Sequence, residues 1–256
     1  MDYVAPRTIA DACRALEGDG AQCLAGGQSL VAMMNLGLAS PERLVSLRRI
    51  DALRGIATAD DGAVRIGAMT THTELAALHD GPPAARLLAQ AARVVAYPAV
   101  RNRGTIGGSV ALADPAADYP VALVALDATI EIVSMQGTRT IAARDFFRGM
   151  FETALGVGEI VAAVHVPAAR ANTGTAYEKL SIVAGDFAIV SVAAIVSFDD
   201  KADQGGSGMG DAAIRIAVGG YAMKPILLSE LPTLDDAVAQ AAHQLAVHGD
   251  PPGDHR

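Results

Sequence analysis

Apolar positions along this chain recur in two rhythms, and turn residues separate one from the other. Helical spacing over residues 9–17, behind Thr8 as an N-cap and ahead of Gly18 and Gly20, predicts a first helix. Residues 21–25 form a short apolar strand, and Gly26-Gly27 turns it toward a second helix over 30–36, with Ser29 placed to cap it. Another short strand over 44–47 makes residues 1–50 a small α/β unit. A hairpin follows over 53–57 and 63–68, with Asp60-Asp61-Gly62 at its tip. Thr71 opens a short surface helix carrying His72 and His79, and Pro82-Pro83 opens a longer helix over 84–95.

Residues 101–120 read as an extended, glycine-rich loop, overlapping a helix over 118–126. A second hairpin, 129–134 with 138–141, turns at Met135-Gln136-Gly137; a helical piece at 145–148 and a β-rich run at 159–166 come next. Past a linker at 168–173 stand three β-rich runs, 174–182, 187–198 and 212–218, then an amphipathic helix at 234–247 and a polar tail. Strands and helices segregate rather than alternate strictly, so the fold class is α+β. The expected division is 1–167, in two parts (1–52 and 53–167), followed by 168–256 as a three-stranded antiparallel sheet with a helix.

Composition narrows what such a fold does. Apolar residues make up 51% and charged residues 19%, which excludes overall disorder. The net charge of -8 argues against a nucleic-acid partner, which selects for basic surfaces. Cys13 and Cys23 are too few for a four-thiolate iron–sulfur cluster and lack zinc-site spacing. The longest apolar run, 187–198, falls short of the roughly 20 residues that span a bilayer. The beginning, MDYVAPRT, has no apolar leader, so a cytoplasmic protein without a transmembrane segment is expected.

Familiar catalytic patterns are missing. There is no GxxxxGK[ST] and no GxSxG, and no His pairs at ligand spacing with Cys or a carboxylate, so neither a catalytic side chain nor a metal site is assigned. The run 205–210, GGSGMG, lacks the helix that a dinucleotide fingerprint needs and reads as a hairpin loop. Two other glycine pairs differ, in LAGGQSL (24–30) and RNRGTIGGSVALADPAADYP (101–120). A Gly-Gly turn can aim amide N–H groups at one spot with no Cβ in the way, and Ser29, Thr105 and Ser109 add hydroxyl donors. Neither turn carries Lys or Arg in its core, which suits a diphosphate held by dipoles.

These two motifs resemble the FAD-binding medium subunit of the molybdenum hydroxylases, the xanthine dehydrogenase and aerobic carbon monoxide dehydrogenase type. ASPERLVSL, VRIGAMTTHTEL, DFFRGMFETAL, GEIVAAVHVP, AYEKL and GDFAIVSVAA extend the resemblance over nearly the whole chain. It implies a PCMH-type FAD-binding fold; the FAD is expected to be non-covalent, since no His or Cys lies in or beside either loop except Cys23, on a strand. Ala25, Gly26, Gly27, Gln28, Ser29 and Leu30 then form one diphosphate loop, and Thr105, Ile106, Gly107, Gly108 and Ser109 the other. Asp118 reaches the ribose–adenine portion, Val95 and Val161 flank the isoalloxazine, and Lys179 lies near its polar edge. Leu112 stands where the family often has a polar residue, and Ser109 where it often has Asn. A molybdenum cofactor on a large partner subunit and [2Fe-2S] clusters on a small one are implied, with NAD, a quinone or another external electron acceptor. The alternatives are a flavin-free scaffold subunit of such a complex and a stand-alone flavin oxidase.

Overall fold

In the computed structural model, which describes residues 1–198, 212–228 and 234–248, the first unit is a parallel sheet. Strands β1 (Asp2–Val4), β2 (Ala21–Leu24) and β3 (Arg43–Ser46) take the order β1-β3-β2. Helices α1 (Ile9–Ala15) and α2 (Leu30–Asn35) make the crossovers. Thr8 caps α1 as expected, its hydroxyl accepting from the Asp11 amide. Ser29 occupies the N-cap position of α2, but its hydroxyl makes no capping bond.

The middle sheet has the order β4-β5-β10-β6-β7, all neighbours antiparallel. It is built from β4 (Ile56–Thr58), β5 (Val64–Gly67), β6 (Thr129–Ser134), β7 (Gly137–Ala142) and β10 (Ile160–Val166). Between β5 and β6 run α3 (His72–Ala76), α4 (Pro83–Val94), α5 (Pro98–Arg101), α6 (Ile106–Leu112) and α7 (Asp118–Ala125). The stretch 101–120 is therefore not an extended loop. Thr105 accepts from the Gly108 amide and starts a real helix, which ends at Ala113 in the left-handed region. Between β7 and β10 stand α8 (Ala143–Phe146) and a small hairpin of β8 (Phe147–Gly149) and β9 (Glu152–Thr153).

The last sheet is β11 (Thr173–Leu180), β12 (Val190–Phe198), β13 (Ala212–Gly219) and β14 (Ile226–Leu228), followed by α9 (Leu234–His248). It has four strands rather than three, because the short ILL run adds an edge to β13 that a three-residue segment does not announce in sequence. β12 begins at Val190, not at 187. Gly185 takes a positive φ of 86°, the Asp186 carboxylate accepts from the Phe187 amide, and Phe187 is left exposed in a loop. The run 205–210 and the tail from 249 lie outside the described residues.

One core joins the middle and last sheets. Ile66, Ile130, Ile132 and Val164 pack on Leu87 and Leu88 of α4 and Leu123 of α7, and Tyr177, Ala193 and Ala217 close it from the last sheet. A second core packs Ala12, Cys13 and Val45 of the first unit against Ile160 and Ala162 of β10. β10 thus holds the two units together, and the gap between them is where the site lies.

Across adjacent strands, Glu131 receives Arg65 (3.1 and 3.3 Å) and His165 (2.6 Å). Burial works against its charge, but the hydrogen bonds from Arg65 and His165 outweigh it and hold the carboxyl below the ordinary value of 4.5. Its contribution to stability is complete above 4.5 and is lost as pH falls through the lower folded-state value. Glu131→Gln is expected to destabilise the chain at neutral pH by about 1 kcal/mol, since the group is partly solvated. Urea midpoints of the two proteins should converge once the pH has fallen below that folded-state value.

Candidate functional site

A cavity of about 740 Å³ opens between the first unit and the middle sheet, within the usual size range of ligand clefts. Ala25, Gly26, Gly27, Gln28, Ser29, Leu30, Val95, Thr105, Gly107, Gly108, Ser109, Asp118, Val161 and Lys179 all line it. Ile106 does not; its side chain is fully buried in the core. The set runs in sequence from Ala25 to Lys179, and the fold brings it around one cavity.

The two glycine pairs meet there. A Cβ on Gly26 would fall on the Arg103 carbonyl and on Cα of Gly104, so the first loop lies directly against the residues that precede Thr105. Gly27 has φ +74°, a conformation that side chains disfavour. The amide groups of the two loops have different fates. Among the described residues, the backbone N–H groups of Gly26, Gly27, Gln28, Ser29 and Leu30 have no hydrogen-bond acceptor. In the second loop, Ile106 donates to Thr70, Gly107 to Ala68, Gly108 to the Thr105 hydroxyl and Ser109 to Thr105. Of the two loops, only the first therefore leaves its amide N–H groups without an acceptor. Gly107 serves close packing instead, since a Cβ there would strike Ala68.

Asp118 and Lys179 form an ion pair at 3.1 Å, with side chains only 6% and 5% exposed. The Tyr177 hydroxyl donates to the same carboxylate at 2.7 Å, and Lys179 also donates to the Val94 carbonyl. Burial pushes the Asp118 carboxyl up, opposed by the attraction of Lys179 and the bond from Tyr177. The two residues touch, so they serve one end of the cavity. The assignment of Asp118 to the adenine end and Lys179 to the flavin end does not fit this contact. The N-terminus of α7 and the far end of β11 bring together residues 61 positions apart in sequence, which hides the pairing.

Sequence reading missed several lining groups. His72 was expected on the surface, but it is 6% exposed, lines the cavity and bonds Tyr119 through Nδ1 at 2.9 Å. Burial, and secondarily the charge of Arg101, lower its pKa to about 4. The only signal was the Thr71–Glu74 capping box, which fixes α3 at its start and so orients the residue after the cap. Residues 155–160 line another wall, held by Glu159, which accepts from the Gly156 amide and from Arg139. Arg101 donates to the Val95 and Ala96 carbonyls and fixes the turn that presents Val95. Cys23 also lines the cavity, and burial, then the neighbouring Cys13, push its thiol up to about 12. A thiol of that kind is not a nucleophile at neutral pH.

The described residues contain no group of three His, Cys, Asp or Glu able to hold a metal, and no helix long and apolar enough to cross a membrane. Comparison with known proteins gives the arrangement its setting. The family described as "FAD binding domain in molybdopterin dehydrogenase" matches residues 1–169. The glyceraldehyde dehydrogenase medium chain of Sulfolobus acidocaldarius is 36% identical over all of this chain and 90% of its own length. The carbon monoxide dehydrogenase medium chain of Hydrogenophaga pseudoflava is 40% identical over 77% of this chain and 69% of its own. A solved structure of carbon monoxide dehydrogenase from Hydrogenophaga pseudoflava superposes with a TM-score of 0.89 at 36% identity, over 99% of this chain and 88% of that one.

Proposed function

This chain belongs to the family of FAD-binding domains of molybdopterin dehydrogenases, as an FAD-binding subunit of an oxidoreductase, and from that we propose that it relays electrons between its partners and an external acceptor. Substrate is oxidised at a molybdenum cofactor on a large partner subunit, and electrons reach this chain through iron–sulfur clusters of a small one. The acceptor is NAD, a quinone or another oxidant. In this reading residues 1–167, in their two parts 1–52 and 53–167, hold the cofactor, and 168–256 form the C-terminal domain.

The observation that carries the reading is the row of five free amides, Gly26 to Leu30, on a wall without cationic side chains. Such a row fits a diphosphate, which accepts several hydrogen bonds at once. The Ser29 hydroxyl, unused as a cap, adds another donor. Thr105, Gly107, Gly108 and Ser109 form the facing wall, and Ile106 anchors it from within the core. Val95 and Val161 offer apolar surface for the isoalloxazine ring, and the Asp118–Lys179 pair a polar contact. FAD supplies the redox chemistry when bound; the chain binds, orients and shields it.

The cofactor is non-covalent, consistent with the neutral Cys23 thiol. Purified protein is expected to show flavin absorbance, and acid precipitation to release all the colour into the supernatant. Colour retained in the pellet would count against non-covalent binding. A chain that stays colourless after incubation with FAD would favour the scaffold alternative. Turnover by the isolated chain without partners would favour the stand-alone oxidase.

A further inference from the structure

The His72–Tyr119 pair is used by nothing described so far. Tyr119 is 1% exposed, and its hydroxyl has His72 Nδ1 as its partner among the described residues. The phenol must give its proton to Nδ1. The reverse arrangement would leave a hydroxyl proton sealed in the core with no acceptor, which costs more than the bond returns. The His72 ring is neutral, because burial and the nearby Arg101 charge hold its pKa to about 4. A neutral ring whose Nδ1 accepts carries its one proton on Nε2.

Nε2 has no partner among the described residues and is not one of the polar atoms sealed from solvent, so it opens on the cavity that His72 lines. It lies against Gly104; a Cβ there would come within 2.5 Å of it. Gly104 is also the residue that Gly26 abuts, and the His72 amide donates to the Gly104 carbonyl. Gly104 is therefore packed against both the Gly26 backbone and the His72 ring, which puts the free ring N–H near the start of the row of free amides. We propose that His72 is a binding side chain, donating from Nε2–H to the diphosphate of the nucleotide that the Gly26–Leu30 amides hold. This rests on the FAD reading, and it makes Tyr119 the residue that sets the tautomer.

The test compares FAD, ADP and riboflavin as ligands of the full chain, for the wild type and for His72→Phe and His72→Gln. His72→Phe keeps ring packing on Gly104 but has no donor; it should weaken FAD and ADP about ten- to a hundredfold and leave riboflavin unchanged. His72→Gln, which retains a donor, should recover part of the loss. In the wild type, nitrogen NMR of labelled histidine should show the His72 signal with Nδ1 unprotonated and Nε2 protonated, and the Nε2 resonance should move on adding ADP but not riboflavin. Equal losses for all three ligands, no loss for any, or a proton found on Nδ1 would overturn the proposal. A wild-type chain that binds none of the three ligands would overturn the FAD reading along with it. A wild-type chain that binds FAD while His72→Phe does so equally well removes this proposal alone.

Discussion

Gly26→Ala is expected to yield a protein without flavin and with a melting temperature lower by about 6 °C or more. The added Cβ falls on the Arg103 carbonyl and the Gly104 backbone, and backbone atoms cannot step aside as a flexible side chain can. The loops must separate, and overpacking of that kind costs about 3 kcal/mol where backbone has to move. For a chain of this size each kcal/mol is worth about 2–4 °C. The same displacement carries the free amides of 26–30 away from the facing wall. Gly108→Ala provides the contrast. Its Cβ would stand 3.1 Å from the Thr105 hydroxyl and 3.5 Å from the Ala25 methyl, so the fold gives way only slightly while the cleft narrows. It should melt near the wild type and bind FAD more weakly. Full flavin content in Gly26→Ala would mean that the contact between the loops does not shape the binding wall.

Lys179→Met should cost about 3–5 kcal/mol at neutral pH, because it strands a buried carboxylate. Asp118 keeps the Tyr177 hydroxyl and its own backbone N–H, while the burial that already raises its pKa goes unopposed by any cation. A carboxyl whose folded-state pKa is raised makes the folded state bind its proton more tightly than the unfolded one. Its penalty is therefore absent below the unfolded value and grows as pH rises toward the folded one. The deficit of Lys179→Met should thus be largest in mildly alkaline buffer and shrink on acidification, as read by urea midpoints across pH. Adding Asp118→Asn removes the stranded charge and should restore most of the loss. In flavin-loaded protein, Lys179→Met should also lower the reduction potential, since a positive charge that favours the anionic reduced form is lost. That drop should be smaller than for an isolated lysine, because Asp118 already offsets its charge. A single variant as stable as the wild type at every pH would show that the pair contributes nothing.

Short-range chemistry was legible from the residues themselves. Thr8 and Thr71 cap helices because a hydroxyl three residues ahead of a free amide needs no tertiary help. The turn at Met135-Gln136-Gly137, the helix behind Pro82-Pro83 and the α+β class follow from spacing and turn residues alone. The cleft-lining role of Gly26 and Gly27 was legible too, since two glycines between a strand and a helix leave backbone exposed on purpose. The misreadings have local causes. Glycines at 107 and 108 lower helix propensity, and the helix forms there because Thr70, Ala68 and Thr105 satisfy its first amides. Phe187 and Ile189 look like strand but are held out by the turn at Gly185.

By itself the sequence determined where the chain turns, which segments bury one face, and that two glycine loops with hydroxyl neighbours exist. Tertiary structure alone decided which loop keeps its amides free, that Asp118 and Lys179 neutralise each other, and that His72 turns inward to Tyr119. The reason is one of range: caps and turns are settled between residues a few positions apart. The remaining choices depend on which donors and acceptors are left together in the folded chain, and that arrangement exists only once β10 has joined the two units.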